Sequence, residues 1–169
     1  MRYNQVTIKD IARELGISPS TVSRALKDHP DISPETKKAV NELAEKLNYQ
    51  PNVVALSLRQ SKTNTIGVVI PEIVHFFFST VISGIEDVAY KAGYNVILTQ
   101  SNESFQREST DIKALFNSRV DGMLISLSRE TTNFDHIEAM IAKGVSIVFF
   151  DRVYDNKNTS KVIVDDFSG

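Results

Sequence analysis

Residues Thr7 to Leu26 carry two helix starts and one helix stop in close succession. Thr7 can cap a helix, with Asp10 three residues on as a short variant of the capping box. Ile11, Ala12 and Leu15 then mark one apolar stripe, so the spacing predicts a first helix over Ile8–Leu15. Gly16 follows where a helix end favours a left-handed residue, and Ile17 can plug the corner. Ser18-Pro19 reads as an N-cap followed by proline at the first helical position, where its missing N–H is harmless. A second helix to about Leu26 results, and two short helices must meet across a tight turn. That is the helix-turn-helix pattern.

The second helix has two unlike faces. Val22, Ala25 and Leu26 point inward, while Ser20, Arg24 and Lys27 form an outer line at i, i+4, i+7, flanked by Pro19, Thr21 and Ser23. On an arbitrary helix such a face is simply solvated. A different use arises if the helix is held by a core. Small hydroxyls let it sink close to base edges, and the planar fork of an arginine matches O6 and N7 of guanine. The core is supplied by a third helix, opened by Ser33-Pro34-Glu35 and striped by Val40, Leu43, Ala44 and Leu47. Pro51 pushes Gln50 out of the helical region and is expected to end it. Asn52 can then cap a brief segment over 53–59, in which Val53, Val54, Ala55, Leu56 and Leu58 are apolar. About two turns are too few for a helix stable alone, so this segment needs a surface to fold against.

Net charge is −2, which by itself argues against a nucleic-acid partner, but the charge is unevenly spread. Residues 1–62 carry +3 and residues 63–169 carry −5. A basic head precedes an acidic body; a solvated surface of mixed charge explains the asymmetry as well as a phosphate-binding one does.

From Ile66 the texture changes to short apolar runs rich in β-formers: 66–70, 96–99, 122–125, 146–150 and 162–164. Such runs suggest strands buried on both faces. Helical stripes fall between the first four: Val81, Ile82, Ile85, Val88 and Ala89, then Ile112, Leu115 and Phe116, then Ile137, Ile141 and Ala142. This β-α repeat predicts a parallel sheet, with a polar loop over 154–161 joining the last two strands. Open parallel sheets bind ligands beyond the carboxyl ends of their strands. Asp151-Arg152 stands at one such end, either to hydrogen-bond hydroxyls of a ligand or to close the sheet edge as a structural ion pair.

Several function classes are excluded or disfavoured. No apolar run is long enough to span a membrane, and no apolar secretory stretch follows Met1, so the expected address is the cytoplasm. Without cysteine there is no thiol nucleophile, disulfide or thiolate metal site. His29, His75 and His136 lie far apart without metal-ligand spacing, and no metal or cofactor is expected. An enzyme on such a sheet would need a phosphate-cradling glycine loop or an activated nucleophile, and Pro71-Glu72-Ile73-Val74 after the first strand offers neither. An exported sugar-binding protein is the other rival, disfavoured by the helical head.

Thr7-Ile8-Lys9-Asp10-Ile11-Ala12, Ser20-Thr21-Val22-Ser23-Arg24-Ala25-Leu26 and Asn48-Tyr49-Gln50-Pro51-Asn52 together resemble the LacI/GalR family of bacterial transcription regulators. The resemblance implies a helix-turn-helix DNA-binding domain over 1–50, a hinge helix and linker over 51–62, and over 63–169 the N-terminal lobe of an effector-binding domain of periplasmic-binding-protein type. The fold class expected is therefore an all-α head plus an incomplete, doubly wound α/β lobe, because the family's second lobe is absent from these 169 residues. It implies base reading by Pro19, Ser20 and Arg24, and phosphate positioning by Thr7, Ser18, Thr21, Ser23, Asn48, Tyr49 and Asn52. Pro19 can touch a thymine methyl but cannot donate a hydrogen bond. In the hinge, Pro51, Asn52, Ala55 and Leu58 fit the family's spacing. Leu58 then becomes the wedge that unstacks a minor-groove step, with Arg59 beside it; the alternative is that Leu58 packs on the body. Asp151 matches an effector-contacting acid, with Arg152 beside it, and Phe77 and Phe78 match rings that cover the ligand, although core or dimer packing explains Phe76-Phe77-Phe78 as well. The implied partners are palindromic operator DNA, a small effector such as a sugar or sugar phosphate, and a second copy joined through the helix over 79–91. A DNA-binding fragment without effector control is the alternative.

Overall fold

The computed structural model describes residues 6–51, 62–157 and 159–163. The chain divides into two compact units, Met1–Gln60 and Ser61–Gly169.

In the head, α1 (Ile8–Leu15), α2 (Pro19–Ala25) and α3 (Pro34–Lys46) enclose one core of Ile11, Ala12, Val22, Ala25, Val40, Leu43 and Ala44. Each helix starts on a polar cap. The Asp10 carboxylate accepts from the Thr7 backbone N–H at 3.0 Å and from its hydroxyl at 2.7 Å. Ser18 Oγ accepts from Thr21 N–H at 3.1 Å, and Ser33 Oγ from Thr36 N–H at 3.2 Å. Both of those helices begin with proline, as expected. Gly16 ends α1 in the left-handed region (φ 66°).

The end of α3 differs from expectation. It stops at Lys46, well before Pro51, because Asn48 turns left-handed (φ 49°). The Tyr49 N–H then donates back to the Ala44 carbonyl at 2.8 Å and the Asn48 N–H to that of Glu45 at 3.0 Å, a Schellman closure that seats the Tyr49 ring against the core. Proline is therefore not what halts the helix.

Among the described residues the body holds a five-stranded parallel sheet of order β2-β1-β3-β4-β5, with β1 (Thr65–Ile70), β2 (Asn95–Gln100), β3 (Gly122–Ile125), β4 (Ile147–Phe150) and β5 (Ser160–Val162). Three crossover helices connect the first four strands: α4 (Phe76–Lys91), α5 (Phe105–Asn117) and α6 (Asp135–Ala142). From α4, Val81, Ile82 and Ile85 pack on one core with Val68, Ile70, Phe78 and Phe150. Ile112 and Leu115 of α5 and Ile137 and Met140 of α6 pack on the other core, with Val69, Met123, Ile125, Ile147 and Phe149. Alternate residues of β1 thus serve opposite faces, as a doubly wound sheet requires. Gly67 lets α5 close on the sheet: a Cβ there would lie 2.7 Å from Leu115 Cδ1.

Three readings of the body need correction. The run at 96–99 and the described part of the run at 162–164, Val162 and Ile163, are not buried on both faces. β2 and β5 are the sheet edges, and Ile97 and Val162 are 38% and 63% exposed; β5 also lies two residues earlier than the apolar run. Val88, read as part of an inward stripe, is 69% exposed, because α4 meets the sheet along Val81, Ile82, Ile85 and Ala89. Helix α4 begins at Phe76 rather than 79, with the three phenylalanines forming its first turn.

Candidate functional site

The outer face of α2 stands clear of the head. Pro19, Ser20, Arg24 and Lys27 are exposed while Val22 and Ala25 on the opposite side are buried, so the core holds the helix by one face and presents the other. Thr21 and Ser23 are half-buried along the flanks. The Ser18 and Thr21 hydroxyls lie 2.9 Å apart, so both flank the N-terminus of α2, where unpaired backbone N–H groups favour an anion. Thr7 sits at the N-terminus of α1, and Asn48 and Tyr49 follow the C-terminus of α3. Burial pushes the Tyr49 phenol above its usual pKa, so it remains a neutral hydroxyl. Behind α2, Asp28 turns left-handed (φ 53°), and its carboxylate meets Lys37 of α3 at 2.6 Å, which ties the end of the helix to its scaffold. Asn52, Ala55, Leu58 and Arg59 lie outside the described residues.

A second polar cluster occupies the carboxyl ends of the body's strands. Ser101, Ser126 and Ser128 are buried there. Ser126 Oγ donates to Asp151 Oδ2 at 3.1 Å, and Asp151 is exposed and left-handed (φ 61°). Arg152 does not pair with Asp151. Its guanidinium reaches Glu103 at 2.6 and 2.9 Å and the Leu127 carbonyl at 3.2 Å, joining the loop after β2 to the ends of β3 and β4. Burial raises the Glu103 carboxyl, but hydrogen bonds and charge from Arg152 and Arg129 outweigh it and leave the group below its usual pKa. Phe78 is buried edge-on to Phe150, 6.4 Å between centroids, whereas Phe77 is 41% exposed; of the two rings, Phe77 is the accessible one.

Beneath these loops lies a network that the sequence reading passed over. Glu108 on α5 is fully buried, and accepts from Ser128 N–H at 2.6 Å, Thr131 Oγ1 at 2.9 Å and His136 Nε2 at 2.9 Å. Ser128 Oγ in turn lies 2.7 Å from Ser101 Oγ. One carboxylate therefore ties together α5, α6 and the loops after β2 and β3. Its signal was present: Glu108 stands on the apolar stripe at i, i+4, i+7 with Ile112 and Leu115, where a lone acid demands partners. Glu103 offered no such signal, since its partner Arg152 is 49 residues away.

Residues 7–52 match the family described as bacterial regulatory proteins, lacI family, and residues 63–168 match periplasmic binding proteins and sugar binding domain of LacI family. The chain belongs to the LacI family. Among curated relatives, this LacI-family chain is 36% identical over 160 residues to catabolite control protein A of Priestia megaterium, covering 95% of this chain and 48% of that protein. Among solved structures, the Lac repressor dimer bound to operator and the anti-inducer ONPF aligns with TM-score 0.78 at 26% identity, over 95% of this chain and 48% of that one. A LacI family transcriptional regulator from Enterococcus faecium with bound ribose aligns with TM-score 0.51 at 34% identity, over 62% and 37%. The chain spans about half the length of its LacI-family relative from Priestia. Among the described residues no helix is long and apolar enough to cross a membrane.

Proposed function

We propose that this chain is part of a sequence-specific transcription regulator, a repressor of carbohydrate-related genes that binds a palindromic operator as a dimer in the cytoplasm and is not an enzyme. The observation that carries the reading is the exposed, hydroxyl-rich and basic face of α2, held rigidly by its buried Val22 and Ala25. Support comes from the relatives, one a catabolite control protein and one a repressor solved on its operator. We assign 1–50 to DNA binding, 51–62 to the hinge and linker, and 63–169 to the effector-binding lobe.

In this reading α2 enters the major groove, where Pro19, Ser20 and Arg24 meet base edges. Thr7, Ser18, Thr21, Ser23, Asn48, Tyr49 and Asn52 contact phosphates, while Ala55, Leu58 and Arg59 meet the minor groove. An effector of the sugar or sugar-phosphate class lies against the strand ends, hydrogen-bonded by Asp151 and covered by Phe77, with Arg152 and Phe78 shaping the site. The ribose-bound relative supports that class. Val88 and Tyr90, 69% and 86% exposed on α4, supply the apolar surface a second copy would cover.

Selection of bound duplexes from randomised DNA tests the reading: recovery of a palindrome supports it, and recovery of no preferred sequence overturns it. Repeated with Arg24→Ala, the selection is expected to relax one base pair per half-site, a loss of about 1–3 kcal/mol of discrimination. Leu58→Ala is expected to weaken operator binding while leaving salt-dependent binding to random DNA nearly intact; equal losses on both duplexes, titrated side by side, would remove the wedge.

A further inference from the structure

Ahead of β1 the body grips its incoming chain through one carboxylate. Asp121, in the turn between α5 and β3, accepts from the Thr63 backbone N–H at 2.8 Å and from the Asn64 N–H at 2.9 Å. The Thr63 hydroxyl lies 2.9 Å from that same carboxylate and 2.9 Å from the Arg119 carbonyl. On the other side the Asn64 carbonyl accepts from Asn95 N–H at 2.8 Å, with Asn64 held left-handed (φ 50°). Lys62 places its ammonium 4.9 Å from the centre of the Tyr94 ring. Residues 62–64 precede the first ladder pair, Thr65 with Asn95, so apart from the Asn64 carbonyl, which accepts from the first residue of β2, the ladder does not hold them. The turns before β2 and β3 do so instead.

We infer that Asp121 is a positioning residue for operator binding: its carboxylate holds Thr63 and Asn64 in one conformation where the chain enters the body, and operator affinity depends on that hold. The inference rests on the DNA-binding reading above. Were Lys62, Thr63 and Asn64 free, their backbone entropy would have to be removed whenever operator binds. The acceptor is well suited to the task. Burial raises the Asp121 carboxyl, yet the hydrogen bonds from Thr63 and Asn64 and the nearby Lys62 charge outweigh it, and the group stays ionised at neutral pH. A neutral amide of the same shape can accept on one arm only and turns an NH₂ group towards a backbone N–H on the other.

The test uses full-length protein, an operator recovered by selection and a random duplex of equal length, with affinities from fluorescence anisotropy and thermal unfolding recorded for each variant. Asp121→Asn is expected to weaken operator binding about tenfold with random-duplex binding unchanged. Thr63→Val should act in the same direction, and the double variant should lose no more than Asp121→Asn alone, as expected of two residues in one contact. Ile137→Ala, cut into the body core on α6, should lower the melting temperature at least as far while preserving the operator preference. An unchanged preference in Asp121→Asn, or an equal loss in Ile137→Ala, overturns the positioning role. A wild-type protein that does not discriminate between the duplexes overturns the DNA-binding reading itself, a result distinguishable from failure of the clamp alone.

Discussion

Replacing Glu108 by alanine is expected to destabilise the body by about 3–5 kcal/mol, read from urea unfolding followed by circular dichroism. The substitution leaves the buried Ser128 N–H and His136 Nε2, and the half-buried Thr131 hydroxyl, without their common acceptor. His136 Nδ1 already lacks a partner, so the ring has no second hydrogen bond to fall back on. The effect should also depend on acidity. Burial raises the Glu108 carboxyl, but the hydrogen bonds from His136, Ser128 and Thr131 prevail and hold it below the ordinary glutamate value. The folded state therefore binds this proton less readily than the unfolded chain does. Its stabilisation is complete above the ordinary carboxylate range and drains away as pH falls through the lowered folded value. Wild type should lose this part of its stability in acid and the alanine variant should not, so the gap between them narrows below about pH 4. A constant gap across that window would show that the network acts by packing alone.

Ile11→Ala is expected to remove most folded head at 37 °C. Ile11 is fully buried at the junction of the three helices, and a large-to-small change at such a site costs about 2–5 kcal/mol. At about 0.05–0.15 kcal/mol per residue, a unit this small has only a few kcal/mol to lose. Operator binding should then vanish while the body's thermal transition stays in place, a separation calorimetry can resolve. A variant that retained both head and operator binding would mean that the core re-forms around the missing methylenes.

What could be read from the residues follows the range of the forces involved. Thr7, Gly16, Ser18-Pro19 and Ser33-Pro34 act within four residues of themselves, and the helices they bound are where the spacing placed them. The β-α alternation is equally local. The end of α3 was misread because Asn48, able to turn left-handed, acts before Pro51 can. Burial was harder: nothing in the run 96–99 says that β2 is an edge, and the exposure of Val88 depends on how α4 leans on the sheet. Polar pairing was hardest. Arg152 stands beside Asp151 in the chain, yet it turns to Glu103, because the fold brings the loop after β2 to the end of β4. Of the pair at that strand tip, Asp151 has no ion pair among the described residues, which makes it and the exposed Phe77 the direct contacts of the proposed effector, with Arg152 and Phe78 shaping the site.

The three helices of the head close their core within about forty residues of chain, whereas β1 pairs with β3 across an intervening strand and two helices. Contacts near in sequence form quickly, and parallel pairings that must first close long loops form slowly. During synthesis, at about 5–20 residues per second, the head leaves the ribosome first. The nascent chain therefore possesses its α2 face some seconds before it possesses a sheet, and every new molecule passes through an interval in which the surface we assign to DNA exists while the body is still unfolded.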